Sequence, residues 1–368
     1  MKISVSKEIS SLVPYPPGKP IEELERELGI KGSIKLASNE NPFGPSKKAI
    51  DAVAEALANL HRYPDGSCFY LKERLSKFLD VEPEMLIIGN GSNEIIELVI
   101  KAYLRPGHEA VMAAPSFAVY PIAINGSGGK AVSVPLKGFR HDLEAMATAI
   151  SRETRLVFIA NPNNPTGTIV TDDELSRFLK AVPDDVIVCV DEAYYEFVQN
   201  PGFPKTLEHV KMREKAVLLI RTFSKVYGLA GLRVGYGVAD ASLVDYMERV
   251  RQPFNVNSLA QAAALAALDD RGHLNKTVQN NIQGLDYLLG ELKAMGLECV
   301  PTEANFFLVR AGEGKKVYDA LLKKGVIVRP MDSYGLGEYI RVTVGLPEEN
   351  SRFISSLQEV LGLARRPL

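Results

Sequence analysis

Between residues 85 and 238 seven short apolar runs recur, MLIIG, AVMAA, AVSV, RLVFIA, VIVCVDEA, AVLLIRT and LRVGYGV. A strand that is apolar on both faces must be covered on both. Helical patterns lie among these runs (KKAIDAVAEALANL, YLKERLSKFL, EIIELVIKAYL, LEAMATAI, DELSRFLKAV), and strands alternating with helices pair in parallel through crossovers. The expectation is an α/β large domain with a mostly parallel seven-stranded sheet covered by helices. After residue 250 the texture changes. An Ala- and Leu-rich helical stretch over 258–295, interrupted near DDRGH, precedes four short strands, LECV, NFFLVR, VIVRP and YIRVTVG, with helices near KKVYDALLKKG and SRFISSLQEVLG. That reads as a smaller α+β domain, 256–368, following a large one, 33–255. Residues 1–32 read as an arm joining the small domain: VPYPPGKP cannot be helical and should run extended as far as IEELERELG, lying on another surface.

With 368 residues, 46% of them hydrophobic and 24% charged, the chain can bury a substantial core. The 43 Lys and Arg against 45 Asp and Glu leave a net charge of -2, without the broad basic field that nucleic-acid binding needs. Cys68, Cys189 and Cys299 are odd in number and widely spaced, which supports neither a disulfide framework nor a zinc site and suits a reducing cytoplasm. Polar SVSKEISS follows Met1 and Lys2, and no 18-residue apolar run occurs. A soluble, unexported protein without a membrane partner is expected.

Several strand ends carry residues with chemistry. In RTFSK, Lys225 follows a buried-looking strand, where an ammonium could hold phosphate or form a Schiff base with an aldehyde; a plain strand-end lysine reads the same way. Arg233, in GLAGLRVGYG, stands among small residues and with Thr222, Ser224 and Lys225 makes an anion-binding cluster, or else a tight turn with a surface arginine. In IIGNGSNEIIELVI a strand runs through Gly89 and Gly91 into a helix whose free amides at Ser92 and Asn93 would point at an anion, although such a turn is commonly only a cap. Asp191 and Glu192 end a central strand where open α/β sheets bind ligands; a cationic partner, a metal or solvent could face them. ANPNNPTG sets Asn161 and Asn163 in a rigid turn at the same edge. Taken together, one ligand asks for all of these: pyridoxal phosphate, with an aldehyde for Lys225, a pyridinium nitrogen for Asp191, a phenolate oxygen for amide and phenol donors, and a phosphate.

NPNNPTG, DEAY, TFSK and GLRVGY, in that order over residues 161–236, resemble the class I and II aminotransferases of pyridoxal-phosphate fold type I. More closely, SNENPFGP (38–45), RYPD (62–65), GNGSNEII (89–96) and YIRVTVG (339–345) resemble the histidinol-phosphate branch of that family, across nearly the whole length. The resemblance implies that Lys225 forms the Schiff base and shuttles the proton, and that Asp191 keeps the pyridine nitrogen protonated. It implies that Tyr194 and Asn161 donate to the ring oxygen, and that Phe117, where many members carry Tyr, stacks on the ring. Ser92, Asn93, Thr222, Ser224 and Arg233 would hold the phosphate. Tyr63 would cross to the neighbouring subunit's cofactor, so a homodimer with shared active sites is implied. Arg341 and Arg329 would hold the anions of a phosphate-ester amine and of glutamate or 2-oxoglutarate in turn, with Tyr15 and Asn39 facing substrate. An aromatic aminotransferase or a threonine-phosphate decarboxylase would share every cofactor residue. A pyridoxal-phosphate-binding regulator would need a fused DNA-binding segment, and no basic helix-turn-helix precedes residue 30. A dehydrogenase would need G-x-G-x-x-G at the first βα turn, which is lacking.

Overall fold

The computed structural model describes residues 3–363; residues 1, 2 and 364–368, the outer ends of the expected arm and small domain, lie outside the described residues. In chain order the strands are β1 (Ile34–Lys35), β2 (Leu86–Gly89), β3 (Glu109–Ala114), β4 (Lys130–Pro135), β5 (Thr154–Ala160), β6 (Ile187–Asp191), β7 (Val217–Thr222), β8 (Gly235–Val238), β9 (Phe306–Arg310), β10 (Val326–Ile327), β11 (Arg329–Pro330) and β12 (Tyr339–Thr343). Seven of them form one sheet in the order β2-β8-β7-β6-β5-β3-β4. Neighbours from β7 through to β4 run parallel, and β8 alone is antiparallel to both its partners. The seven apolar runs are these seven strands.

Alternation along each strand decides which core a side chain joins. On β3, Val111 and Ala113 enter one buried cluster while Ala110 and Met112 enter the other, on the opposite face. Helix Asp172–Ala181 shows how the covering layer is specified. Thr171 and Glu174 form a reciprocal cap, and Leu175, Phe178 and Leu179, at helical spacing, are buried. Each such fully buried apolar side chain contributes about 1.5–3 kcal/mol.

A third cluster, with Leu288, Leu292, Phe307, Phe353 and Leu357, forms the core under the antiparallel sheet β11-β12-β9. Leu36, from the chain's beginning, is buried in it, because β1 pairs in parallel with β10.

Several expectations need correction. LECV is no strand: only Cys299 forms a lone bridge, to Val309. VIVRP is two strands, β10 pairing with β1 and β11 with β12, so the chain changes sheets at Val328. A helix, Val119–Gly126, joins β3 to β4, where the sequence reading had strand follow strand. Parallel neighbours need a crossover, and Pro121 sits in the helix's first turn, where its missing N–H breaks no bond. Helix Ser258–Leu268 lies beyond the change in composition, yet Ala260, Ala263, Ala264 and Ala267 join the core of the large sheet, their small side chains permitting close approach. Among the described residues no helix is long and apolar enough to cross a membrane.

Candidate active site

β5, β6 and β7 are adjacent and parallel, so the residues after Ala160, Asp191 and Thr222 emerge at one edge, where open α/β sheets bind ligands. A cavity of about 360 Å³ opens there. Of the residues singled out from sequence, Ser92, Asn93, Phe117, Asp191, Tyr194, Thr222, Ser224, Lys225, Arg233, Tyr15, Asn39, Arg329 and Arg341 line it.

One end is an anion cradle. Helix Ser92–Tyr103 is anchored by buried Ile95, Ile96, Leu98, Val99 and Ile100, and its N-cap is Gly91, at φ 80 and without a side-chain cap for the first-turn amides. A methyl on Gly91 would meet Nη2 of Arg233 at 2.5 Å, and one on Gly235 would meet the Ser92 nitrogen at 2.6 Å. The cradle closes only because glycine occupies both positions. Thr222 donates to Ser224 Oγ at 3.0 Å, and Arg233 reaches the same oxygen at 3.5 Å.

At the other end stands Asp191, 5% exposed. Its Oδ2 accepts from the Tyr120 hydroxyl at 2.8 Å and its Oδ1 from the Ala193 amide at 3.2 Å. Burial outweighs these donors and pushes the carboxyl up to about 6. Glu192 turns to the opposite face of the strand, where Nε and Nη2 of Arg221 donate to it at 2.9 and 2.7 Å; the two acids therefore do not converge on one ligand. Lys225 Nζ donates to the Ser38 carbonyl at 3.2 Å. Burial first, then the positive charges of Arg341 and Arg233, pull its pKa down to about 8 against the pull of Glu40 and Asp191.

The third wall is cationic. Arg329 and Arg341 are directly opposed on antiparallel β11 and β12, at 7% and 5% exposure. Two buried like charges in register repel unless an anion lies between or beside them. Arg329 donates to the Pro16 carbonyl at 2.6 Å and faces the Tyr15 ring at 5.5 Å, tying the arm to the cavity. Arg341 donates to the Ala37 carbonyl at 2.8 Å and to Asn164, while its buried Nε has no partner among the described residues. The Tyr194 hydroxyl accepts from Asn39 at 3.0 Å and Asn164 at 3.3 Å, and burial holds it protonated up to about 12.

Two expected residues stand elsewhere. Asn161 is fully buried and its amide serves the backbone of Val170, accepting from N at 3.0 Å and donating to O at 3.3 Å. Asn164, three residues on, lines the cavity in its place. Tyr63 is 83% exposed and stacks on Phe254 at 4.8 Å, away from this chain's own cavity. Sequence reasoning also passed over Tyr120 and Ser38. The first sits in the APSFAVY segment already noted for Phe117; the second contributes a backbone carbonyl that no pattern marks.

A family model described as "Aminotransferase class I and II" matches residues 31–357. The histidinol-phosphate aminotransferase of Moorella thermoacetica is 52% identical over 354 residues, spanning 96% of this chain and 92% of that protein. "Histidinol-phosphate aminotransferase 1" of Nitrosococcus oceani is likewise 52% identical, over 96% and 95%. Among solved structures, the histidinol-phosphate aminotransferase of Sinorhizobium meliloti in complex with pyridoxal-5'-phosphate superposes with a TM-score of 0.89 at 28% identity, covering 97% of each chain.

Proposed function

The chain belongs to the class I and II aminotransferases, and from that premise we propose that it exchanges an amino group between L-histidinol phosphate and imidazole acetol phosphate on one side and glutamate and 2-oxoglutarate on the other. The cofactor is pyridoxal phosphate, the course ping-pong, and the setting histidine biosynthesis in the cytoplasm. The observation that carries this reading is that one cavity has two separate anion holders, the glycine-built helix cradle and the opposed Arg329–Arg341 pair. One suits a cofactor phosphate; the other suits a substrate that is itself an anion, a phosphate ester or a carboxylate in turn.

The residues present fit the cofactor: an anion cradle with no room for a Cβ, a buried carboxylate and a buried amine share the cavity. Bound pyridoxal phosphate supplies an aldehyde for amine exchange and a ring that draws electrons when its nitrogen is protonated. Ser92, Asn93, Thr222, Ser224 and Arg233 would hold its phosphate. Asp191, ionised, would hold the proton on the ring nitrogen. Tyr194, kept protonated, has its own O–H to give a ring oxygen while Asn39 and Asn164 donate to it. Lys225, whose neutral amine burial favours, would bond to the cofactor's aldehyde, and when substrate takes its place Nζ would carry the proton from substrate Cα to the carbon two atoms along. Phe117 would lie on the ring face. Arg341, with its unpartnered Nε, and Arg329 would orient the substrate anion, with Tyr15 closing over it.

Tyr63 has no role in its own subunit's cavity. We assign it to a partner's cavity in a homodimer, whose sites would then be completed in pairs. The first test of the whole reading mixes the pyridoxal form separately with L-histidinol phosphate, glutamate and phenylalanine and follows single-turnover spectra. Fast conversion with the first two and slow conversion with phenylalanine is expected; fast phenylalanine conversion with no response to histidinol phosphate would replace the substrate by an aromatic amino acid.

A further inference from the structure

Tyr120 lies at the second position of helix Val119–Gly126, fully buried among aromatic rings. Its ring stacks on Phe158 at 4.8 Å and meets the edge of Phe117 at 5.6 Å. A phenol in such a place must find a partner for its hydroxyl, and the partner here is Oδ2 of Asp191 at 2.8 Å. Burial and the neighbouring carboxylate keep the phenol's own pKa well above the usual value, so the proton stays on the tyrosine and Asp191 accepts.

Resting on the function proposed above, we propose that Tyr120 is a positioning residue for amino transfer: its hydroxyl fixes the charge and the orientation of Asp191, and through Asp191 the proton on the cofactor's ring nitrogen. The surroundings of Asp191 leave this task to few groups. Glu192, the residue after the strand, disfavours its charge but is itself neutralised by Arg221. Lys225 favours the charge from across the cavity, the Ala193 amide donates to Oδ1, and Cys189 and Tyr194 stay protonated. Of the two donors to Asp191, the Tyr120 hydroxyl is the nearer, at 2.8 Å against 3.2 Å for the Ala193 amide. Without it, Oδ2 would be free to rotate and the carboxyl would shift further toward its neutral form, which cannot hold a pyridinium proton.

The test is Tyr120→Phe, which deletes one oxygen and keeps both ring contacts. Holoenzyme is loaded with pyridoxal phosphate labelled at the ring nitrogen, and the pH at which that nitrogen loses its proton is read by NMR. A fall of about one pH unit relative to wild type is expected, the size of one charge-assisted hydrogen bond. Phe158→Leu serves as the packing control: it thins the stack, leaves the hydroxyl in place, and should lower thermal stability without moving the nitrogen's titration. An unchanged midpoint in Tyr120→Phe, or an equal change in Phe158→Leu, overturns the proposal while leaving the assigned activity standing. A wild-type protein that binds no labelled cofactor overturns both.

Discussion

Asn161 and Asn164 stand three positions apart in one turn and hold different things. The first is committed to both backbone groups of Val170; the second bridges Tyr194 and Arg341 in the cavity. Asn161→Ala should therefore cost about 1–3 kcal/mol of stability in denaturant unfolding, by orphaning buried backbone groups. Asn164→Ala should leave stability within about 1 kcal/mol and lower kcat/KM by tenfold or more. Titration separates Lys225 and Asp191 as well. Uptake of pyridoxal phosphate by cofactor-free protein should accelerate as pH rises through about 8, where Lys225 loses its proton, a window set by burial and the nearby arginines. Asp191, raised to about 6, binds a proton more tightly folded than unfolded, so its contribution to stability is present at low pH and lost as pH rises through 6. Asp191→Asn should accordingly raise the thermal stability of the cofactor-free protein at pH 8, by up to roughly 3 kcal/mol, while abolishing turnover. At this scale RTFSK and DEAY were legible because a charged group after an apolar strand is rare. Three asparagines in a single turn were not, since turn chemistry asks only for amides and does not say which way each points.

At the level of elements, the junction of β2 with helix Ser92–Tyr103 depends on Gly91. Its φ of 80 strains any residue with a Cβ, and a Cβ there, 2.5 Å from Nη2 of Arg233, would push the guanidinium out of the cradle. Gly91→Ala is expected to weaken pyridoxal phosphate binding at least tenfold by equilibrium dialysis, with the sheet intact by circular dichroism. Strands β2, β5, β6 and β7 were readable because both faces are buried and each apolar run is continuous; edge strand β4 is largely exposed. Helix Val119–Gly126 was not: its Pro121 and Gly126 are breakers by composition, and only its place in the first turn makes the proline harmless. The two-residue strands β10 and β11 carry too few residues for any period to appear, although they bring Arg329 opposite Arg341.

For the molecule as a whole, the exposed Tyr63–Phe254 stack, set apart from this chain's own cavity, is the feature that the proposed shared site would use. Subunits carrying Lys225→Ala mixed with subunits carrying Tyr63→Ala would then regain up to about a quarter of wild-type activity, because half the dimers would contain one intact site. Additive, unrecovered loss in that mixture would place Tyr63 outside the chemistry. Composition and strand order foretold a large α/β unit with an α+β companion. The fit of helix Ser258–Leu268 to the large core was hidden, because an all-round apolar alanine helix carries no directional pattern. The parallel pairing of Ile34–Lys35 with Val326–Ile327 has a further effect, on how the chain comes into being. A ribosome adding about 5–20 residues per second needs roughly half a minute between making one strand and making the other. Through that interval Leu24 and Leu36, each 1% exposed in the finished protein, have no core to enter. A segment made so long before its partner is thus among the last to fold, and it stays open to chaperones and proteases throughout the interval.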